Sequence, residues 1–311
     1  SFERLAGVYA NAGIDKRYSC VPLDWYKQSH GWKDRTEIFV DSAVDLLVSA
    51  AQKAIDGASL VATDIDGIVT VSSTGLAVPS LDSLLMDRMP FRRDVQRLPI
   101  FGLGCGGGVL GLSRAAALAQ AQPGSRWLFL VVELCGITFR DADLSKSNII
   151  ATALFGDGAA AAIVQVDSSG KRLASWGEYC WPNSSDIMGW NIEEDGFGVR
   201  FSRDIPQFVR SKMRQAADRF LEQSSVPFES LDQFIFHPGG AKVLSALEDA
   251  FEISPSGLKL ARDVLREYGN MSAATVLFVL ERALAQHPSG VGLVGALGPG
   301  FSAGFLVMDD I

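Results

Sequence analysis

Apolar and polar positions follow two rhythms along this chain, and the rhythms keep returning in the order strand, turn, helix. From Thr36 to Asp56 the apolar residues Ile38, Val44, Leu47, Val48, Ala51 and Ile55 recur at helical spacing, which predicts an amphipathic helix. Asp66 to Ser72 reads as a buried strand closing in a Ser-Ser-Thr-Gly turn, and Leu98 to Leu103 as a second short strand. Gly104-Cys105-Gly106-Gly107-Gly108 follows, then a helical run from Val109 to Ala121 that stops at Pro123-Gly124. Trp127 to Val132 and Ala159 to Val166 are further strands, the latter ending in the turn Asp167-Ser168-Ser169-Gly170.

The second half repeats this grammar. Helices are expected at Ile205 to Gln223, Ala241 to Ala250, Leu258 to Tyr268 and Met271 to Ala285. Strands are expected at Gln233 to Phe236, Gly292 to Ala296 and Phe301 to Met308. Trp176 to Phe201, rich in Trp, Asn, Asp and Gly, reads as a loop at the surface or lining a site. Alternation of strands and helices throughout predicts an α/β fold. Two halves of similar grammar, residues 1–166 and 167–311, suggest an internal duplication.

Composition narrows the function classes. The chain has 311 residues, of which 48% are hydrophobic, enough for a large core or two fused halves. A net charge of −8 with no Lys/Arg block argues against nucleic acid as a partner. A phosphate-bearing substrate would then need a local basic patch. No apolar run reaches the length of a membrane span, and Ser1-Phe2-Glu3-Arg4 enters a helical pattern without a leader signature. Cys20, Cys105, Cys135 and Cys180 show neither zinc spacing nor a dense disulfide frame, so reduced thiols in a cytoplasmic enzyme and no metal are expected.

Cys105 is the sharpest chemical feature. It stands between a buried strand and a helix, where the helix dipole stabilises a thiolate and lowers its pKa. The glycines around it keep the thiol accessible and let backbone N–H groups approach a substrate oxygen. The bland alternative is a structural Cys in a tight turn. Of the three histidines, His30 and His287 read as solvated loop residues. His237 instead ends a buried strand, the place where α/β folds carry catalytic groups. Asn270, where a helix begins, reads most simply as an N-cap. Gly298-Pro299-Gly300 by itself reads as a turn.

In order along the chain, these pieces resemble the type III polyketide synthases, the chalcone synthase-like family. The matching segments are Gly104-Cys105-Gly106-Gly107-Gly108, Leu154-Phe155-Gly156-Asp157-Gly158-Ala159-Ala160, His237-Pro238-Gly239-Gly240, Tyr268-Gly269-Asn270-Met271-Ser272 and Gly298-Pro299-Gly300. The likeness runs from about Arg17 to the C-terminus. It implies the thiolase fold, two αβαβα halves in a five-layer sandwich, as a homodimer. It implies Cys105 as nucleophile toward acyl-CoA, with His237 and Asn270 completing the triad and serving malonyl-CoA decarboxylation. CoA thioesters would be the substrates, with no cofactor or metal.

Further roles come from the same resemblance. Phe155 matches the family's gatekeeper between CoA tunnel and cavity. Ser73, Glu133 and Ser272 match positions where a hydrogen-bond chain activates water for thioester release in some members. Cys135, Thr138, Val199 and the Gly298-Pro299-Gly300 loop fall at cavity positions, and Val78 stands where plant enzymes place a Met reaching into the partner's cavity. Arg4 alone falls near a basic CoA-phosphate position; Gly7 and Asn11 occupy two others. The family's first strand would lie upstream of Ser1. Plant chalcone synthases carry a bulky Phe at the Val199 position and a Thr at that of Cys135. Those departures, with Trp190-Asn191 and Asp204-Ile205-Pro206, point to the microbial branch. A fatty acyl-CoA starter and an alkylpyrone or alkylresorcinol product are therefore expected.

Three rivals remain. A β-ketoacyl-carrier-protein synthase III shares the triad logic but performs one condensation on a carrier protein. A silent thiolase-fold scaffold would show Cys105 alkylation near pH 6–7 no faster than that of a free cysteine. A papain-like protease is disfavoured by the glycine-rich α/β pattern around Cys105 and His237.

Overall fold

In the computed structural model the described residues are 3–167, 171–286 and 289–310, with side chains described from Gly7 onward. Ser168-Ser169-Gly170, His287 and the side chain of Arg4 therefore lie outside the described residues.

The first half of the chain runs α1 (Glu3–Ala10), α2 (Trp32–Gly57), β1 (Gly67–Ser72), α3 (Leu81–Leu85), β2 (Gln96–Phe101), α4 (Gly107–Ala121), β3 (Arg126–Leu134), α5 (Lys146–Leu154) and β4 (Asp157–Gln165). The rest runs β5 (Lys171–Cys180), β6 (Met188–Ile192), β7 (Phe197–Phe201), α6 (Ile205–Gln223), β8 (Gln233–Phe236), α7 (Ala241–Phe251), α8 (Lys259–Tyr268), α9 (Thr275–Gln286), β9 (Gly292–Gly298) and β10 (Ser302–Asp310).

Two four-stranded sheets carry the fold, in the orders β2-β1-β3-β4 and β5-β10-β9-β8. In each, the two strands that lead toward the site run parallel: β1 with β2, and β8 with β9. Every residue of β1 is buried, as expected for a strand covered on both faces. Helix α2 covers the outer face of the first sheet through Phe39, Leu47, Ala51 and Ile55. Helices α4 and α9 fill the space between the sheets, and α6 with α7 closes the outside of the second. The result is the expected αβαβα order of five layers. Among the described residues, no helix is long and apolar enough to cross a membrane.

The structure departs from the sequence expectation in two places. Trp176 to Phe201 is not a loop: β5 runs to Cys180 and pairs with β10, and β6 and β7 form a hairpin. Its aromatic residues suit strands, but β5 finds its partner more than a hundred residues away, so no local rhythm announces it. The expected helix from Met271 is broken, with a 3₁₀ turn at Ser272–Ala274 before α9 starts at Thr275. Ser272 has φ +47°, a left-handed conformation that an α-helix cannot continue through.

The β6–β7 hairpin is tied down by a buried cation. Arg35, 6% exposed, donates Nε to the carbonyls of His30 and Asp195 at 3.1 and 2.9 Å. Its Nη1 donates to the carbonyls of Ile137 and of Phe139, the latter at 2.8 Å. One guanidinium thus joins α2, the hairpin and the turn after β3. Replacing it by Met would leave these carbonyls unpaired, so Arg35→Met is expected to cost about 3 kcal/mol in urea unfolding, through a lower midpoint at unchanged slope. A change below about 0.5 kcal/mol would show that the carbonyls find other donors.

Candidate active site

Three turns bring the sequence-distant groups together. The first follows β2. Gly104 has φ +47°, and a Cβ there would lie 2.6 Å from Pro299 Cδ, so glycine is required on both counts. A Cβ on Gly108 would lie 2.3 Å from the Ala273 carbonyl oxygen. Its absence lets the start of α4 press against the Asn270 turn. Cys105 sits in the 3₁₀ turn Gly104–Gly106 just before α4 and is 8% exposed.

The second turn ends β8. The His237 backbone N–H donates to the Gly295 carbonyl at 2.9 Å, which fixes the residue at the strand end. Neither ring nitrogen has a hydrogen-bond partner among the described residues, though the side chain is buried. The third turn follows α8. Asn270 accepts the Ser272 N–H on Oδ1 at 2.8 Å, a local side-chain turn ahead of the 3₁₀ turn, whose N-cap is Met271, and so not the helix cap expected. Its Nδ2 remains a donor and reaches the Gly239 carbonyl at 3.2 Å, beside His237.

Cys105, His237 and Asn270 line one cavity, with about 30 Å³ of free space, about the volume of one water. Met188, Phe201, Ile205, Met213, Val243 and Leu247 form part of its wall. The lining carries no charged side chain.

Burial dominates the electrostatics. It pushes the Cys105 thiol up to about 12, against the pull of Ser272 and Asn270, with the Glu133 charge adding to the rise. Burial also holds His237 down at about 3. Burial thus works against the lowering of the thiol pKa expected from the start of α4. At neutral pH the resting pair is a thiol and a free imidazole, and the imidazole is the base available to the thiol proton. Iodoacetamide should therefore alkylate Cys105 slowly near pH 7, the rate climbing steadily through about pH 9. A plateau below about pH 7, read by peptide mass spectrometry, would reveal a resting thiolate. Slow labelling is thus the behaviour of this closed site and does not mark a scaffold.

A second polar cluster lies behind the Cys105 turn. Glu133 is wholly buried; its Oε2 accepts the Ser73 N–H at 2.9 Å and the Thr74 hydroxyl at 2.8 Å. The Ser272 hydroxyl donates to its Oε1 at 3.3 Å. Burial raises the Glu133 carboxyl to about 7. Ser73 Oγ in turn accepts the Gly104 N–H at 2.9 Å, joining the cluster to the Cys105 turn.

Cys135, Thr138, Phe155 and Val199 line a different, larger cavity of about 530 Å³. Tyr9, Lys16 and Arg17 also line it. Phe155 faces Trp190 and Phe201, with ring centroids 6.2 and 5.8 Å away. Gly298, Pro299 and Gly300 line neither cavity. Gly298 and Pro299 pack beneath the Cys105 turn instead, where a Cβ on Gly298 would meet the Leu103 carbonyl at 2.5 Å. Val78 is fully exposed and touches neither cavity.

Sequence reading assigned no site role to Trp190, whose Nε1 donates to the Ser73 carbonyl at 2.7 Å while its ring meets Phe155. Arg17 was also missed. Neither belongs to a motif whose spacing announces chemistry.

Known proteins share this architecture. The sequence matches the chalcone and stilbene synthases, N-terminal domain over residues 25–168 and C-terminal domain over residues 173–311. The chain belongs to that family and has its thiolase fold; it is an acyltransferase-type enzyme of the type III polyketide synthase class. A 1,3,6,8-tetrahydroxynaphthalene synthase of Streptomyces peucetius subsp. caesius is 36% identical over 98% of this chain and 83% of its own length. The phloroglucinol synthase of Pseudomonas fluorescens is 27% identical over 94% of this chain and 85% of its own. The crystal structure of the Streptomyces coelicolor 1,3,6,8-tetrahydroxynaphthalene synthase, a bacterial type III polyketide synthase, superposes with a TM-score of 0.94. It is 29% identical, and the match covers 99% of this chain and 89% of that one.

Proposed function

We propose that this chain extends a fatty acyl-CoA starter with malonyl-CoA and releases an alkylpyrone or alkylresorcinol. Cys105 gives its proton to His237 and attacks the acyl thioester; the carbon–sulfur bond to CoA breaks, and CoA leaves with that proton. Malonyl-CoA then loses CO₂, and the enolate oxygen is held by N–H groups of His237 and Asn270. The enolate carbon bonds to the acyl carbon, and the Cys105 thiolate leaves. No step calls for a metal or bound cofactor.

The observation that carries this reading is the single buried cavity holding a thiol, an unpartnered imidazole and a carboxamide. That cavity holds about one water as it stands, so an alkyl starter would lie in the larger cavity lined by Cys135, Thr138, Phe155 and Val199. The homodimer is proposed on the outer strand β2, with Val78, Phe101 and Leu76 exposed along that edge. Work in the cytoplasm fits four free cysteines.

Mass spectrometry of products from malonyl-CoA with acyl-CoAs of about two to eighteen carbons tests the starter. Turnover should rise with chain length; strict preference for aromatic starters would refute it. The Streptomyces relatives named for tetrahydroxynaphthalene favour a second reading, a hydroxynaphthalene product whose skeleton carries no alkyl tail and so calls for no fatty starter. A reaction without starter decides between them. Comparing malonyl-CoA with malonyl-carrier protein excludes or admits the carrier-dependent rival.

A further inference from the structure

The large cavity is bordered by Asp15 to Tyr18, a segment belonging to no helix or strand. From it Arg17 reaches the end of α5. Its Nη1 donates to the carbonyl oxygens of Thr152 and of Phe155, the latter at 3.0 Å. The Leu154 carbonyl between them takes the backbone N–H of Asn270 at 2.8 Å, and Asn270 accepts the Gly156 N–H in return at 3.0 Å.

A helix leaves its last four carbonyls without internal partners. Helix α5 has no basic residue in its last turn and ends in Phe155 rather than a glycine. The missing donors come from elsewhere: a guanidinium more than a hundred residues upstream, and the backbone of Asn270. The Arg17 stem also covers the Asn270 turn. Gly269 has φ +72°, and a Cβ there would lie 2.8 Å from Arg17 Cγ. Arg17 therefore bonds to Phe155 and packs against Gly269, the residue before Asn270, so it flanks both sides of the Phe155–Asn270 bridge.

We propose that Arg17 is a positioning residue for the reaction. By capping α5 it holds the Phe155 ring and the Asn270 carboxamide in one frame, so that the enolate donor keeps its place while the aromatic wall is loaded from the large cavity. The inference rests on the reading that Asn270 serves malonyl decarboxylation. A guanidinium bordering a cavity could instead hold a phosphate, and the two roles separate cleanly by substrate.

Decarboxylation is followed for wild type, Arg17→Ala and Arg17→Gln with malonyl-CoA and with malonyl-N-acetylcysteamine, which has no phosphate. Arg17→Ala should lower kcat roughly 10- to 10²-fold with both thioesters, with a smaller change in KM. Arg17→Gln, which keeps one amide donor, should recover part of the loss. A defect confined to KM for malonyl-CoA and absent with the phosphate-free thioester would make Arg17 a phosphate contact and overturn the proposal. So would wild-type kcat in Arg17→Ala. If Arg17→Ala does not fold, the kcat of Arg17→Gln on both thioesters decides in the same way. If the wild-type protein decarboxylates neither thioester, the reading of the site fails and takes this inference with it.

Discussion

Cys105→Ala should lose condensation by at least about 10³-fold while still decarboxylating a malonyl thioester at a measurable rate. The two activities draw on different groups. Covalent capture of the starter as a thioester needs the sulfur, and no other thiol or hydroxyl lines that cavity. Decarboxylation needs donors for the enolate oxygen, and His237 and Asn270 both survive the change. Alanine keeps the Cβ, so the turn between Gly104 and Gly106 should hold. Intact-protein mass spectrometry after mixing with an acyl-CoA gives the sharpest readout: an acyl adduct on wild type, none on the variant. The other buried thiol, Cys135, lines the large cavity and is held well above its ordinary pKa, chiefly by burial, with the charges of Glu133 and Asp157 adding to it. An adduct persisting in Cys105→Ala would move the nucleophile there and undo the assignment.

How far the sequence alone reaches is visible in these same residues. Helix α6 and strand β1 fall where the apolar rhythm puts them, because the helix buries one regular face and the strand sits wholly inside its sheet. The turn glycines around residue 105 were readable because only glycine tolerates the approach of Pro299 and the Ala273 carbonyl. Strand β5 was not, since its partner β10 lies more than a hundred residues away, and the short β6 and β7, though paired with each other, are hidden by the Gly, Asn and Asp residues in and around them. The burial that opposes a thiolate was not legible for a related reason. A helix start shows in sequence, but burial depends on α6, α7 and β9 closing over the cavity. Arg17 and Arg35 escaped altogether: each works through backbone carbonyls, which every residue possesses, so no pattern of side chains betrays the partner.

Asn270→Ala should lower malonyl decarboxylation by about 10²- to 10³-fold, the usual effect of removing one preorganised donor from a developing oxyanion. Acylation of Cys105 by the starter should change less, by roughly tenfold at most, because the Asn270 side chain is only one of several influences on the thiol, and burial outweighs it. Stability sets a second expectation. Alanine loses the Oδ1 bond to the Ser272 N–H, about 1 kcal/mol for a hydrogen bond of this kind, while the backbone bridge to Leu154 and Gly156 stays. Asn270→Asp sharpens the argument. Its carboxylate still accepts the Ser272 N–H, so that turn is kept, but it places negative charge where the enolate forms and faces the Gly239 carbonyl that Nδ2 once bonded. It should therefore decarboxylate more slowly than the alanine variant, with the deficit growing as pH rises through the carboxyl's own titration. Single-turnover CO₂ release and stopped-flow acylation, measured side by side, separate the steps. Equal losses in both would mean that the carboxamide only holds the turn in shape, and the electrostatic role would have to pass to His237 alone.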